Sequence, residues 1–269
     1  MSDYSFIYIF YINYVFLQGY EKVMKILISN DDGYQSKGIQ MLIHELRKIS
    51  DIVVVAPDRN RSGSSSSLTL DKAVKVTKVE NDFYYTSGTP TDCVHIALSG
   101  LIEFTPDLVI SGINNGPNMG DDTIYSGTVA AAMEGYLLNI PSFALSMGND
   151  NPKNFTTAAK VTIDLIKLYN KKKFGSSLLN INIPDIPYGD LKGIEITRLG
   201  KRHAAEPAIK GKVKNDDALF WIGAAGEPND GGPGTDFNAI KNNMVSITPI
   251  HADLTDYQNM KNIKEWINE

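Results

Sequence analysis

Two adjacent carboxylates, Asp31 and Asp32, follow directly on the apolar run Ile26-Leu27-Ile28, in the segment Ser29-Asn30-Asp31-Asp32-Gly33. Like charges side by side repel, and in a partly dried site that repulsion raises a pKa unless a cation offsets it. Oxygen donors of this kind suit hard divalent ions such as Mg²⁺, Mn²⁺ or Ca²⁺. Read alone, Asp-Asp-Gly is more simply a solvated acidic turn. Position favours the metal, because ligand crevices in open α/β sheets lie beyond the carboxyl ends of the strands.

Two more polar clusters follow apolar runs that read as buried strands. Ile52-Val53-Val54-Val55-Ala56 leads through Pro57 into Asp58-Arg59-Asn60-Arg61-Ser62-Gly63 and the serines 64–67. Asp107-Leu108-Val109-Ile110 leads into Ser111-Gly112-Ile113-Asn114-Asn115-Gly116-Pro117-Asn118-Met119-Gly120. Parallel strands would bring the three clusters together, and Asp31, Asp32, the Ser62 hydroxyl and the Asn114 carbonyl would then form an all-oxygen set suited to Mg²⁺ or Mn²⁺. Tyr125-Ser126-Gly127-Thr128 precedes an alanine-rich helix, so free amides, hydroxyls and the positive end of the dipole make a phosphate seat. A metal beside a phosphate describes phosphate ester hydrolysis. The plainer alternatives are helix caps for Ser126 and Thr128 and turn residues for Asn114 and Asn118.

The elements that must position these residues follow a βα rhythm. Ile39, Leu42, Ile43, Leu46 and Ile49 recur at the spacing of one helical face. Val74 to Tyr85, with Asn81-Asp82 at the turn, reads as an edge hairpin. Residues 91–101 read as a helix, 129–138 as another, 142–146 as a strand, and Phe155 to Tyr169 as an amphipathic helix. Leu178 to Ile183 closes the α/β part before Pro184. Beyond it, short strands near 193–197, 218–222 and 245–249 alternate with polar loops, and 257–266 reads as a terminal helix. The expected organisation is an extension over 1–23, an α/β core over 24–184, and a β-rich region over 185–269 belonging to the same domain.

The chain has 269 residues, is 42% hydrophobic and carries a formal charge of −5. One large core is affordable at that length, and the acidic balance argues against a nucleic-acid polymer as partner. A single cysteine, Cys93, fits a reducing compartment, and the expected location is the cytoplasm. The four histidines lack zinc spacing. The stretch Phe6 to Leu17 is aromatic and apolar yet shorter than a membrane span, with Asp3 ahead of it where a secretory signal would carry positive charge. An upstream extension or an early translation start is the preferred account, and an interfacial segment the alternative.

Five motifs in order, Ser29 to Gly33, Val55 to Gly63, Gly88-Thr89-Pro90-Thr91-Asp92-Cys93, Ser111 to Asn118, and Asp121-Asp122 through Tyr125 to Gly135, resemble the SurE family of survival-protein nucleotidases. The resemblance runs from about Met24 to the end and includes Val245-Ser246-Ile247-Thr248-Pro249. It implies a Rossmann-like three-layer α/β/α core with a mostly parallel sheet and a β-rich C-terminal hairpin or extension. It also implies a metal-dependent nucleotidase acting on nucleoside 5′- and 3′-monophosphates, with some action on short polyphosphate. One divalent cation per subunit, Mg²⁺ or Mn²⁺, would be held by Asp31, Asp32, Ser62 and Asn114. Asn118 and the turn Ser126, Gly127 and Thr128 match phosphate-site positions, so Asp31, Asp32 and Asn118 are the catalytic candidates. A homodimer or homotetramer, exchanging C-terminal segments, is implied as well.

Three rival readings differ from this one in specific residues or in turnover. A phosphotransfer receiver is much shorter and presents a phosphorylatable Asp where this chain has Asn and Gly. A haloacid-dehalogenase-like phosphatase needs Asp-x-Asp, and the residue two after Asp31 is Gly33. A non-catalytic nucleotide-binding module would differ from the enzyme only in lacking turnover.

Overall fold

The computed structural model describes residues 23–173, 175–202, 207–211, 218–222 and 226–268. The N-terminal apolar stretch lies outside the described residues, as do His203 and Ala224, the first residue of the turn-dense segment 224–236.

β1 (Lys25–Ser29) runs through the middle of the sheet, sending Ile26 and Ile28 to one face and Leu27 to the other, all three buried. Period-two alternation of apolar side chains on both faces is what a doubly covered parallel strand requires. α1 (Lys37–Leu46) buries Ile39, Leu42, Ile43 and Leu46 on a single stripe. Ile49 does not extend that stripe. The helix ends at Leu46, Ser50 N–H donates to Leu46 O at 2.9 Å, and β2 (Asp51–Pro57) begins at once, leaving Ile49 exposed in the reversal.

β3 (Val76–Glu80) and β4 (Phe83–Thr86) form the expected antiparallel hairpin, with β4 parallel to β2. α2 (Pro90–Ile96) starts at a capping box in which Thr89 and Asp92 exchange side-chain to backbone hydrogen bonds, with Pro90 in the first turn. The expected helix over 91–101 changes type partway, since Ala97–Leu101 is a wider π-type turn. β5 (Leu108–Asn114) follows, then a 3₁₀ turn, Gly120–Ile124, and α3 (Gly127–Leu137). β6 (Ser142–Met147), α4 (Phe155–Lys171) and β7 (Leu178–Ile183) complete the parallel run.

The sheet does not end there. After β8 (Ile194–Ile196), the two-residue strands β9 (Ile209–Lys210) and β10 (Phe220–Trp221), and α5 (Asp236–Lys241), the chain returns as β11 (Val245–Ile250). β11 pairs antiparallel with β7, and β8 pairs with β11, giving nine strands in the order β3-β4-β2-β1-β5-β6-β7-β11-β8. The sequence signal for β7 as the last strand of the α/β part was a change of texture at Pro184. That change is a switch of strand direction within one sheet. α1 and α4 cover one face and α2 and α3 the other, the three-layer α/β/α arrangement expected. α6 (Met260–Ile267) buries none of its residues. Among the described residues no helix is long and apolar enough to cross a membrane.

Candidate active site

The carboxyl ends of β1, β2 and β5 converge, and hydrogen bonds between their loops fix the convergence. Arg61 N–H donates to Asp31 O at 2.7 Å, and Tyr34 N–H to Pro57 O at 2.9 Å. Gly33 sits at φ +94°, and a Cβ there would come 2.9 Å from the Arg59 carbonyl carbon, so only glycine permits this approach of the first two loops. Asn115 N–H donates to Asp32 Oδ2 at 2.9 Å, bringing in the loop after β5.

Asp31 is buried to 4% exposure, and Thr128 Oγ1 donates to its Oδ1. Burial pushes its pKa up to about 6, helped by the charge of Asp32 and opposed by the Thr128 hydrogen bond. Burial raises Asp32 too, against the lowering effect of the Asn115 amide. Among the described residues no cationic side chain forms an ion pair with either carboxylate. Two adjacent, uncompensated carboxylates, Asp31 buried and Asp32 half-buried, fit a hard divalent cation. Among the described residues no group of three or more His, Cys, Asp or Glu could hold a metal, so a cation here must draw on neutral oxygens as well.

The neutral candidates stand at different degrees of readiness. Asn114 Nδ2 donates to Gly116 O at 2.9 Å, so the turn role is real and the oxygen end of the amide is the one left to meet a cation. Ser62 is exposed and follows directly on Arg61, the residue that pins the loop to Asp31; its own N–H donates to Asn60 Oδ1 at 2.7 Å. The serine-rich loop is tied to its surroundings by hydrogen bonds. Thr69 N–H and Oγ1 both donate to Asp92, Thr89 Oγ1 donates to Ser67 O, and Ser65 Oγ donates to Ile124 O.

Ser126 caps α3, its Oγ accepting from Val129 N–H at 3.0 Å. That is the plain reading of Ser126, and it coexists with a helix N-terminus aimed at Asp31. A Cβ on Gly127 would lie 2.7 Å from Asp31 Cβ and 3.0 Å from Ser64 Oγ, so the missing side chain lets the helix approach both. Ser64 is a residue that sequence reasoning passed over within the serine run. Its Oγ is buried, has no hydrogen-bond partner, and lies beside Gly127 and Asp31.

Asn118 is held from every side. Its N–H donates to Asn182 Oδ1, its carbonyl accepts from Asn180 Nδ2 and Asn182 Nδ2, and its own Nδ2 donates to Ser146 Oγ at 2.8 Å. The two strand asparagines, both fully buried, brace the loop that carries the candidate. Farther along, Asp236 reaches Gly120 N–H with Oδ2 at 2.7 Å and Gly200 N–H with Oδ1 at 2.9 Å. Arg202 adds an ion pair to Asp122 at 3.0 Å. The 3₁₀ turn entering Ser126 is thereby fastened to the C-terminal part of the chain.

The family model for survival protein SurE matches residues 26–206. A relative from Methylobacillus flagellatus named 5′-nucleotidase SurE is 56% identical over 245 residues, covering 91% of this chain and 99% of that protein. One of the same name from Nitrosomonas eutropha is 54% identical with the same coverage. The crystal structure of the SurE protein from Aquifex aeolicus superposes with a TM-score of 0.82 at 44% identity, covering 91% of this chain and all of that one. The motif-bearing loops lie within the matched span, and the α/β layers carrying them match that structure: the chain belongs to the SurE family.

Proposed function

We propose that this protein is a metal-dependent nucleotidase, a phosphoric monoester hydrolase that converts nucleoside 5′- and 3′-monophosphates to nucleoside and phosphate. The observation that carries the reading is the uncompensated pair of buried Asp31 and half-buried Asp32, set against the N-terminus of α3. Relatives at about this level of identity carry the name 5′-nucleotidase.

Asp31, Asp32, Asn114 and Ser62 are the proposed ligands of one Mg²⁺ or Mn²⁺. That ion, when bound, supplies a Lewis acid for the phosphoryl group and lowers the pKa of water. The amides of Gly127 and Thr128 face the phosphate, where a helix N-terminus favours negative charge. Thr128 Oγ1 orients Asp31, and Ser64 Oγ has a free hydrogen-bonding capacity toward the same point. Asn118 is a rigid polar group at the edge of the site, its position set before substrate arrives. Action on short polyphosphate, cytoplasmic location, and assembly into a homodimer or homotetramer through the 185–269 region complete the proposal. The exposed apolar side chains of β10 and α6 support the assembly.

Phosphate release from 5′-AMP and 3′-AMP, with Mn²⁺, Mg²⁺ or EDTA, tests the reading alongside Asp32→Ala. Metal-dependent release that the variant loses is expected. AMP binding without release under any metal would replace the enzyme with a binding module.

A further inference from the structure

On the α1 and α4 side of Asp32 lies a cavity of about 490 Å³ that the chemistry above does not use. Its wall includes Asp32 and Asn115, so it opens directly from the candidate site. The rest of the wall mixes apolar residues, Pro152 and Phe155 among them, with polar and cationic ones: Asn60 and Asn151 carry amides, and Lys37 and Lys153 carry amines. Among the described residues neither lysine has a carboxylate partner. Both stand on exposed backbone positions that are held firmly. Lys37 is the first residue of α1, and Lys153 is in a loop whose N–H groups at 153 and 154 donate to the Asp185 carboxylate at 2.7 to 3.1 Å. Asp185 is thus engaged with backbone amides. Asn60 Oδ1 accepts from Ser62 N–H, which leaves the nitrogen end of that amide as a donor.

Two unpaired amines and an amide donor against the one carboxylate of the lining, Asp32, leave a net positive charge around the cavity, and such an excess favours an anion. A neutral ribose or base could accept hydrogen bonds from the amines but would leave their charge unmatched, whereas a phosphoryl group does both. Lysine recognises phosphate as a point charge, without the planar geometry arginine needs. We infer that this cavity is a subsite for a second phosphoryl group on the substrate, as in a nucleoside 3′,5′-bisphosphate, with Lys37 and Lys153 as specificity-determining residues. The inference rests on the nucleotidase reading, because the scissile phosphate must occupy the site next to Asp31 while the second one reaches past Asp32.

Initial rates of phosphate release from 5′-AMP, adenosine 3′,5′-bisphosphate and tripolyphosphate test it, using wild type, the double variant Lys37→Gln/Lys153→Gln and the double variant Lys37→Arg/Lys153→Arg. In wild type the KM for the bisphosphate falls below that for AMP. In the glutamine variant the bisphosphate KM rises roughly tenfold while the AMP KM moves by less than about twofold, and arginine restores most of the loss. Tripolyphosphate separates the sources of the second phosphoryl group: a parallel KM rise means any phosphate chain is held, and an unchanged KM means the ribose spacing is required. Unfolding temperatures of the variants match wild type, since both side chains are at the surface. Turnover of AMP with no preference for the bisphosphate, or equal KM changes for AMP and bisphosphate, overturns the subsite alone. Absence of AMP turnover under every metal overturns the nucleotidase reading and the subsite together.

Discussion

The site end of the sheet buries polar groups, whereas the C-terminal end of the chain exposes apolar ones. Around the first, Asn30, Asp31, Asn118, Asn180, Asn182 and Asp236 are all buried, with most of their hydrogen-bonding atoms partnered. At the second, Trp221 is 71% exposed, Ile222 89%, Trp266 71% and Ile267 69%. Each region departs from the usual partition of polar outside and apolar inside, in opposite directions. Buried polar groups are costly unless paired, so the site end is a braced polar framework that leaves its carboxylates uncompensated and a few buried oxygens, Ser64 Oγ among them, without a partner. Exposed aromatic residues of this kind are the surface that the proposed assembly would cover. One chain thus combines a braced polar region at the candidate site with an uncovered apolar surface.

The strongest way to break this contrast is to remove charge from the site. Asp31→Asn is expected to lower turnover by about 10³-fold at ordinary metal concentration, the scale of losing a charged transition-state contact, with recovery as metal is raised. No recovery at saturating metal would favour a proton-transfer role for Asp31 over a ligand role. A second test uses pH on the metal-free protein. With its folded pKa near 6 against an ordinary 3.8, Asp31 in the native state keeps a proton that the unfolded chain has released, so stability falls as pH rises from about 4 to 6. The full penalty, up to about 3 kcal/mol, is then present above pH 6. In EDTA, Asp31→Asn should unfold at a higher temperature than wild type at pH 8 and at the same temperature near pH 4. Adding metal at pH 8 should close the gap, as measured by differential scanning calorimetry.

The other end is tested by Trp221→Glu with Ile263→Glu. Sedimentation velocity should show the assembly dissociating, with its dissociation constant raised by roughly 100-fold, while the spectrum of the core is unchanged. A monomer in wild type would sink the idea that these side chains are covered. The smallest effect is expected from Asn182→Ala, which strips both an acceptor and a donor from the Asn118 backbone. A loss of about 2 kcal/mol, or about 2–4 °C in unfolding temperature, should accompany a fall in turnover.

Much of the fold was legible because its signals are local. Apolar runs ending in Asp31, Pro57 and Asn114 are strands whatever their neighbours, and their parallel order follows from the helices between them. Asp31, Asp32 and Thr128 could be singled out as candidates for the same reason, since a strand end or helix start can be read along the chain. What stayed hidden depends on distant pairing. β11 joins β7 across 62 residues, counted from Ile183 to Val245, and no local pattern distinguishes that strand from an appended hairpin. Asn180 and Asn182 alternate with apolar residues as if facing solvent, yet they point into a braced loop. Ser64 looks like any serine in a run of four, and only the approach of Gly127 singles it out.

The grip of Asp236 on Gly120 spans 116 residues of chain. Every proposed ligand of the metal has left the ribosome long before Asp236 is synthesised, so the earlier part of the protein waits, during translation, with its acidic residues in hand and its phosphate turn unfastened. Contacts so distant in sequence form late and slowly. The turn that enters Ser126 is therefore fastened only once Asp236 has been made, a timing set by one buried carboxylate and two glycine amides.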